Sequence, residues 1–234
     1  MTHKLDLTKV SGKKILGIGA HPDDLEFGAG GTLIQLAKLS EITTLVVTDG
    51  CMGTHQEETR NKNQETIQQI RRRENQEAAK TMGVKRDLYW DYPDFSLTSY
   101  EKNFRRKLLK FLLRERPDMV ITFDPWGRYE PAVHPDHRVV SWAVVEMVLA
   151  ATLPLYLKRH GLGQKSLAPK PQIWLMAPAS PNVVVDISDI WDKKWQVLAT
   201  HKSQFDEHVN LEKIKERMAA QWAEPIGKEI GVKY

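Results

Sequence analysis

Apolar residues come in short blocks along the first 150 positions, separated by stretches where they recur every three or four residues. The first block, Ile15-Leu16-Gly17-Ile18-Gly19-Ala20, is continuous and glycine-bounded, as expected of a strand buried on both faces. The polar turn His21-Pro22-Asp23-Asp24 follows. After Gly28, Gly30 and Gly31, a helix is expected to open at Thr32, with Leu33, Leu36 and Ala37 on one face. Residues 42–47 make a second strand, ending in Thr48-Asp49-Gly50. Strand, helix and strand within about 35 residues form a βαβ unit, which is almost always right-handed and parallel.

Helical periodicity continues over 63–82, stopped by Gly83 in a position suited to a left-handed cap, and over 100–116, which carries Phe104, Leu108, Phe111 and Leu112 and halts before Pro117. Residues 87–90 and 119–123 read as third and fourth strands, and 139–153 as the helix after them. The alternation predicts an α/β fold with a Rossmann-like, mostly parallel sheet flanked by helices. Residues 154–171, rich in Gly, Pro and Lys, read as a connector. Beyond it, 172–176 and 182–187 are expected to form a C-terminal strand hairpin at the sheet edge, with Pro178 and Pro181 in the turn. Helices near 190–199 and 211–222 follow. A single domain is expected, with its core in 13–153 and a C-terminal extension over 172–234.

Composition narrows the class. With 234 residues, 41% hydrophobic and 27% charged, the chain can bury a full-sized core, which excludes collagen-like, low-complexity and disordered readings. The net charge of +4 is too small to argue for nucleic acid by itself. Cys51 is the only cysteine, so no intrachain disulfide forms. Residues 1–10 lack the apolar core of a secretory signal, and a cytoplasmic location is expected. The stretch 139–157 contains no Lys or Arg and approaches the length of a membrane span. Glu146 near its middle would be costly in lipid, so a buried core helix is expected instead.

The chemistry concentrates in two similar tetrapeptides, His21-Pro22-Asp23-Asp24 and His134-Pro135-Asp136-His137, each after a predicted strand or its loop. Ligands of open α/β sheets gather at the carboxyl ends of strands, so two segments about 110 residues apart can face each other there. Imidazole and carboxylate suit zinc, and a catalytic zinc takes three protein ligands and an open position. Three His and three Asp exceed three ligands by enough to supply a base and an acid as well. Spacing alone does not decide between Asp23 and Asp24 as ligand, and either carboxylate could instead cap the next helix.

Ala20-His21-Pro22-Asp23-Asp24, the Gly28-Ala29-Gly30-Gly31-Thr32 that follows it, and His134-Pro135-Asp136-His137 together resemble the LmbE-like (PIG-L) zinc-dependent deacetylases. Thr48-Asp49-Gly50, Arg71 through Glu74 to Ala78 and Gly83, Tyr92-Pro93-Asp94, and His201-Lys202-Ser203-Gln204 agree with the same pattern, so the resemblance runs from about Lys14 to Phe205. It implies hydrolysis of an N-acetyl group, usually on an N-acetylglucosamine unit, giving free amine and acetate. It also implies zinc on His21, Asp24 and His137, a ligand set that suits iron(II) as well. Asp23 would be the general base, and His134 the charged partner of the oxyanion, oriented by Asp136. Arg71 and Asp94 fall where the family holds the sugar. His201 is a candidate for lining the pocket. Tyr129, in the loop over 124–131, is a candidate to replace a tyrosine that some relatives carry where this chain has Ala132. By analogy the chain would form a homo-oligomer, a hexamer in several relatives.

Two departures from the pattern stand out. Leu25 separates the paired aspartates from Glu26, which is assigned no role, and Phe95 stands where glycine is usual. Plainer readings compete for single residues: Arg71 to Arg73 as a solvated helix face, Asp94 as a turn residue, His201 as a partner of a helix dipole. Two rival functions remain. One is another metal-dependent hydrolysis, of a phosphoester, on the same ligands. The other is a nucleotide- or nucleic-acid-binding module, which Gly17-Ile18-Gly19 supports poorly because Ala20-His21-Pro22 follows in place of a dinucleotide fingerprint.

Overall fold

The computed structural model describes residues 3–127 and 134–234. Five strands, β2 (Lys14–Gly19), β3 (Glu41–Thr48), β4 (Arg86–Tyr92), β5 (Met119–Phe123) and β6 (Gln172–Met176), form one parallel sheet in the order β4-β3-β2-β5-β6. Two short strands, β1 (His3–Lys4) and β7 (Val183–Val184), pair in parallel apart from it. The α/β reading of the sequence therefore stands, and its expected strands all lie in the main sheet except the last. The C-terminal hairpin does not form. β6 runs parallel to β5, with Met119 opposite Gln172 and Phe123 opposite Met176, and β7 turns away to pair with the N-terminus. The chain reaches β6 by crossing over through α5 (Pro135–Ala150) and α6 (Pro154–Arg159), so a parallel approach is the one available. The supposed connector over 154–171 thus contains a helix, and its Leu157 and Leu167 are buried in the core.

Alternation along the strands divides the core in two. Leu16 and Ile18 of β2, Leu45 and Val47 of β3, and Val120 of β5 face α4 (Glu101–Glu115) and α5. Ile15, Ile42, Met119 and Ile121 face α1 (Asp24–Leu36) and the end of α3 (Gln64–Met82), which follows the single turn α2 (Glu57–Arg60). Gly83 closes α3 at φ +85° as expected, and Asn63, read as its first residue, caps the other end by accepting the N–H of Thr66 at 2.8 Å.

The start of α1 departs from expectation. The helix begins at Asp24, eight residues before Thr32, and the glycine run lies inside it. Its role is close packing. A Cβ on Gly28 would lie 2.5 Å from Met176 Sδ, and one on Gly31 would lie 2.8 Å from two carbons of Ile187. The glycines lower helix propensity and allow α1 to lie flush against β6 and the segment after β7. At the other end of the chain, the helix expected over 211–222 appears as Leu211–Met218 and continues through a π turn into Glu224–Ile230. No helix among the described residues is long and apolar enough to cross a membrane. Glu146, the residue that argued against a span, pairs with Arg105 on α4.

Candidate active site

The order β4-β3-β2-β5-β6 places the topological switch between β2 and β5, because successive crossovers leave β2 in one direction and return beyond it in the other. A crevice opens at the carboxyl ends of such a pair. His21 follows β2 and His134 and His137 follow β5, so the fold brings the two tetrapeptides together there. The ring centroids of His21, His134 and His137 lie 4.5 to 5.0 Å apart, and Phe123 at the end of β5 stacks on His137 at 4.3 Å.

The first tetrapeptide is gripped on every side. Asp24 Oδ2 accepts the backbone N–H groups of Ala20 at 2.7 Å and His21 at 2.8 Å, which turns its Oδ1 toward His137 Nε2 at 3.1 Å. His21 Nδ1 lies 3.0 Å from His137 Nε2 and 3.6 Å from Asp24. On its other side, His21 Nε2 meets Asp94 Oδ1 at 3.0 Å and Asp136 Oδ2 at 3.4 Å. Asp23 sits at φ +99°, a left-handed conformation costly for any residue but glycine. Arg71 holds that strained turn: it donates to Pro22 O and Gly50 O at 2.6 Å each and meets Asp23 Oδ2 at 3.1 Å. Gly19 leaves the room α1 needs, since a Cβ there would lie 3.0 Å from Asp24 Cβ.

Burial favours neutral side chains here, and the carboxylates oppose it. Although burial works against the charge, Asp136, Asp24 and Asp94 hold His21 well above the usual imidazole range. Burial likewise works against the Asp24 carboxylate, but His137 and His21 pull it well below its ordinary value. Asp23 is pushed up to about 6 by burial, with Arg71 pulling the other way. His134 is lowered, by burial and then by the charges of His21 and His137. Three converging imidazoles, two of them facing carboxylates, with the His21 and His137 ring nitrogens 3.0 Å apart, make a donor set suited to a cation. The His21, His134 and His137 ring nitrogens converge closely enough to hold one, and His21, Asp94 and Asp136 form a second convergent set.

Several sequence candidates take unexpected places. Asp136 turns its carboxylate to His21 and to the N–H groups of Phe95 at 2.7 Å and Leu97 at 3.0 Å; what meets His134 Nδ1 is the Asp136 backbone N–H, at 3.3 Å. The orienting contact expected between the Asp136 carboxylate and His134 is thereby corrected, because Asp136 lies in the first turn of α5 and faces β2. Arg71 is buried against backbone carbonyls and is not a solvated face. Both oxygens of Asp94 are engaged, one with His21 and one with the N–H of Met52 at 2.9 Å. His201 is fully buried, with no hydrogen-bond partner on either ring nitrogen among the described residues, and burial lowers it to about 3. It lies outside the last turn of its helix, immediately before a short 3-10 turn. Tyr129 and Ala132 lie outside the described residues.

Sequence reasoning missed Asn75. Its Oδ1 accepts the Asp23 N–H at 3.3 Å, while its Nδ2 donates to Asp87 at 3.1 Å and Tyr89 at 3.0 Å. The signal was its place four residues after Arg71, on the same face of α3. Glu74, a position already noted in the motif, joins α3 to the chain after His201 by accepting from Ser203 N at 2.8 Å and Ser203 Oγ at 2.6 Å. Glu26 is buried beside the site and pushed up to about 8, chiefly by burial.

Residues 16–148 match the family model described as PIG-L, GlcNAc-PI de-N-acetylase. The chain belongs to the PIG-L family. Within it, the diacetylchitobiose deacetylase of Thermococcus kodakarensis is 34% identical over 201 residues, covering 84% of this chain and 72% of that one. A probable N-acetyl-alpha-D-glucosaminyl L-malate deacetylase 2 of Bacillus cereus is 30% identical, covering 82% and 84%. The crystal structure of N,N'-diacetylchitobiose deacetylase from Pyrococcus horikoshii, complexed with an inhibitor, superposes with a TM-score of 0.85 at 34% identity, over 98% of this chain and 85% of that one. PIG-L membership makes this chain a hydrolytic N-deacetylase by family.

Proposed function

We propose that this PIG-L protein hydrolyses the N-acetyl group of an N-acetylglucosamine-type sugar, using a zinc ion held by His21, Asp24 and His137. The observation that carries the reading is the approach of His21 Nδ1, His137 Nε2 and Asp24 to 3.0–3.6 Å of one another at the switch point. Zinc bound there supplies a Lewis acid that polarises the acetamide carbonyl and acidifies water, and iron(II) suits the same donors. Asp94 and Asp136 favour a proton on His21 Nε2, which leaves Nδ1 as the donor atom facing Asp24 and His137. These contacts give Asp94 a role in orienting His21 in place of the sugar.

Asp23 takes the proton of the attacking water and returns it to the leaving amine; a carboxylate raised to about 6 suits both transfers near neutral pH. Arg71 fixes the geometry of Asp23. His134 Nδ1 accepts the Asp136 N–H, so the neutral ring carries its proton on Nε2 and donates it as a hydrogen bond to the developing oxyanion. This replaces the charged imidazolium expected from the resemblance, since burial and neighbouring charge disfavour it.

The test is acetate release from N,N'-diacetylchitobiose by the zinc-loaded protein, alongside a panel of phosphoesters. Release that disappears in Asp23→Ala, with the fold retained, is the expected result. Turnover of phosphoesters alone, or an Asp23→Ala protein as active as the parent, overturns the reading.

A further inference from the structure

Phe95 is the most exposed aromatic side chain among the described residues, at 61% of its full area, yet its backbone is tightly held. Its N–H donates to the buried Asp136 carboxylate at 2.7 Å, and its neighbours Asp94 and Leu97 are buried. The backbone adopts φ +61°, a conformation that strains a bulky side chain and that glycine would accept freely. Folding alone gains little from a phenylalanine here: it costs backbone strain and leaves an apolar ring in water. The ring stands perpendicular to that of His134, with centroids 5.2 Å apart, so it forms a wall beside the residue that faces the scissile carbonyl.

We propose that Phe95 is a substrate-binding residue whose ring stacks on the apolar C–H face of the pyranose bearing the acetamide, and so selects ring sugars over open-chain acetamides. The inference rests on the deacetylase reading of the same site. The side chains beside it, Asp94, Asp136 and His134, are polar. A sugar presents hydroxyls around its edge and C–H groups on its faces, and Phe95 supplies the flat apolar surface that these polar groups lack. The strain at φ +61° is then stored for binding.

The experiment compares Phe95→Gly, Phe95→Leu and Phe95→Tyr with the parent in the zinc-loaded protein, using N,N'-diacetylchitobiose and measuring KM, kcat, thermal midpoint and oligomeric state. Phe95→Gly is expected to raise KM about tenfold with kcat within about threefold, and to leave the thermal midpoint equal or higher because glycine relieves the strain. Phe95→Tyr keeps the flat face and the parent's KM, while Phe95→Leu falls with the glycine variant. An unchanged KM in Phe95→Gly, a loss confined to kcat, or dissociation of an oligomer in that variant overturns the assignment and leaves the deacetylase reading intact. A parent protein that releases no acetate from any N-acetylated sugar overturns both.

Discussion

His21-Pro22-Asp23-Asp24 and His134-Pro135-Asp136-His137 share three letters in order, and the fold uses them differently. In the first, the helix starts at Asp24, and the motif precedes it as a strained turn with Asp23 at φ +99°. In the second, the helix starts at the proline, His134 is the cap, and Asp136 and His137 lie in the first turn. Proline at the first helical position is the ordinary arrangement, since its missing N–H has no intrahelical partner there anyway. The first motif is held out of that arrangement by tertiary contacts: Arg71 takes the carbonyl of Pro22, Thr48 N–H and Oγ1 both take the carbonyl of Ala20 at 2.8 Å, and Asp24 takes two N–H groups. The same letters thus yield a strained turn that presents His21 and the Asp23 carboxylate, and a relaxed helical start that presents His134 and His137.

The sharpest way to break this comparison is to exchange the matching aspartates. Asp23→Asn is expected to lower kcat at least about 10³-fold with a native circular dichroism spectrum, while Asp136→Asn costs about 10- to 100-fold and weakens zinc binding by a similar factor. Equal losses at both positions would remove the functional asymmetry. Because Asp23 must be ionised to act and titrates near 6, activity in the parent falls as pH drops through about 6, which a pH–rate profile checks.

Next in size is Arg71→Ala, which removes the guanidinium from two buried carbonyls and from the half-buried Asp23 carboxylate. A loss of about 3 kcal/mol in denaturant unfolding is expected, together with loss of activity. Stability unchanged within error would show that the first motif holds its strained turn without the clamp.

Glu26, buried beside the strained turn, gives a pH-dependent effect. Its proton is retained near pH 8 in the folded state and released near 4.5 when unfolded, so the parent loses stability as pH rises between those values. Glu26→Gln removes that loss, and its advantage over the parent is expected to grow to about 2 kcal/mol by pH 8 in parallel urea melts. An advantage independent of pH would place the proton elsewhere.

The smallest effects come from the glycines that let α1 approach. Gly31→Ala drives a Cβ into the branched Ile187 and is expected to cost about 1–2 kcal/mol. Gly28→Ala meets the flexible Met176 and costs less, and Gly30→Ala, with 3.7 Å to Lys194 Cγ, is neutral or stabilising by a few tenths of a kcal/mol. Thermal melts of the three rank them, and equal costs would argue against close packing as the reason for the run.

The sequence by itself determined the alternation of strands and helices, the Gly83 cap of α3, and the two tetrapeptides that meet at the site, because periodicity, capping and side-chain chemistry are written in neighbouring letters. Its errors fall where a distant partner decides. The glycine run looked like a loop because its packing partners, Met176 and Ile187, lie about 150 residues away. Two strands five residues apart looked like a hairpin, whereas the crossover through α5 and α6 delivers β6 parallel to β5. Asp136 was paired with its sequence neighbour His134, whereas the helix turns its carboxylate toward His21. Arg71 and Asp94 were read by what they could bind, and the contacts that bury them, to Asp23 and to His21, come from elements far away in the sequence. Local propensity fixes which elements form, but the direction of a buried polar side chain is set by whichever partner satisfies it, and that partner is a property of the tertiary structure alone.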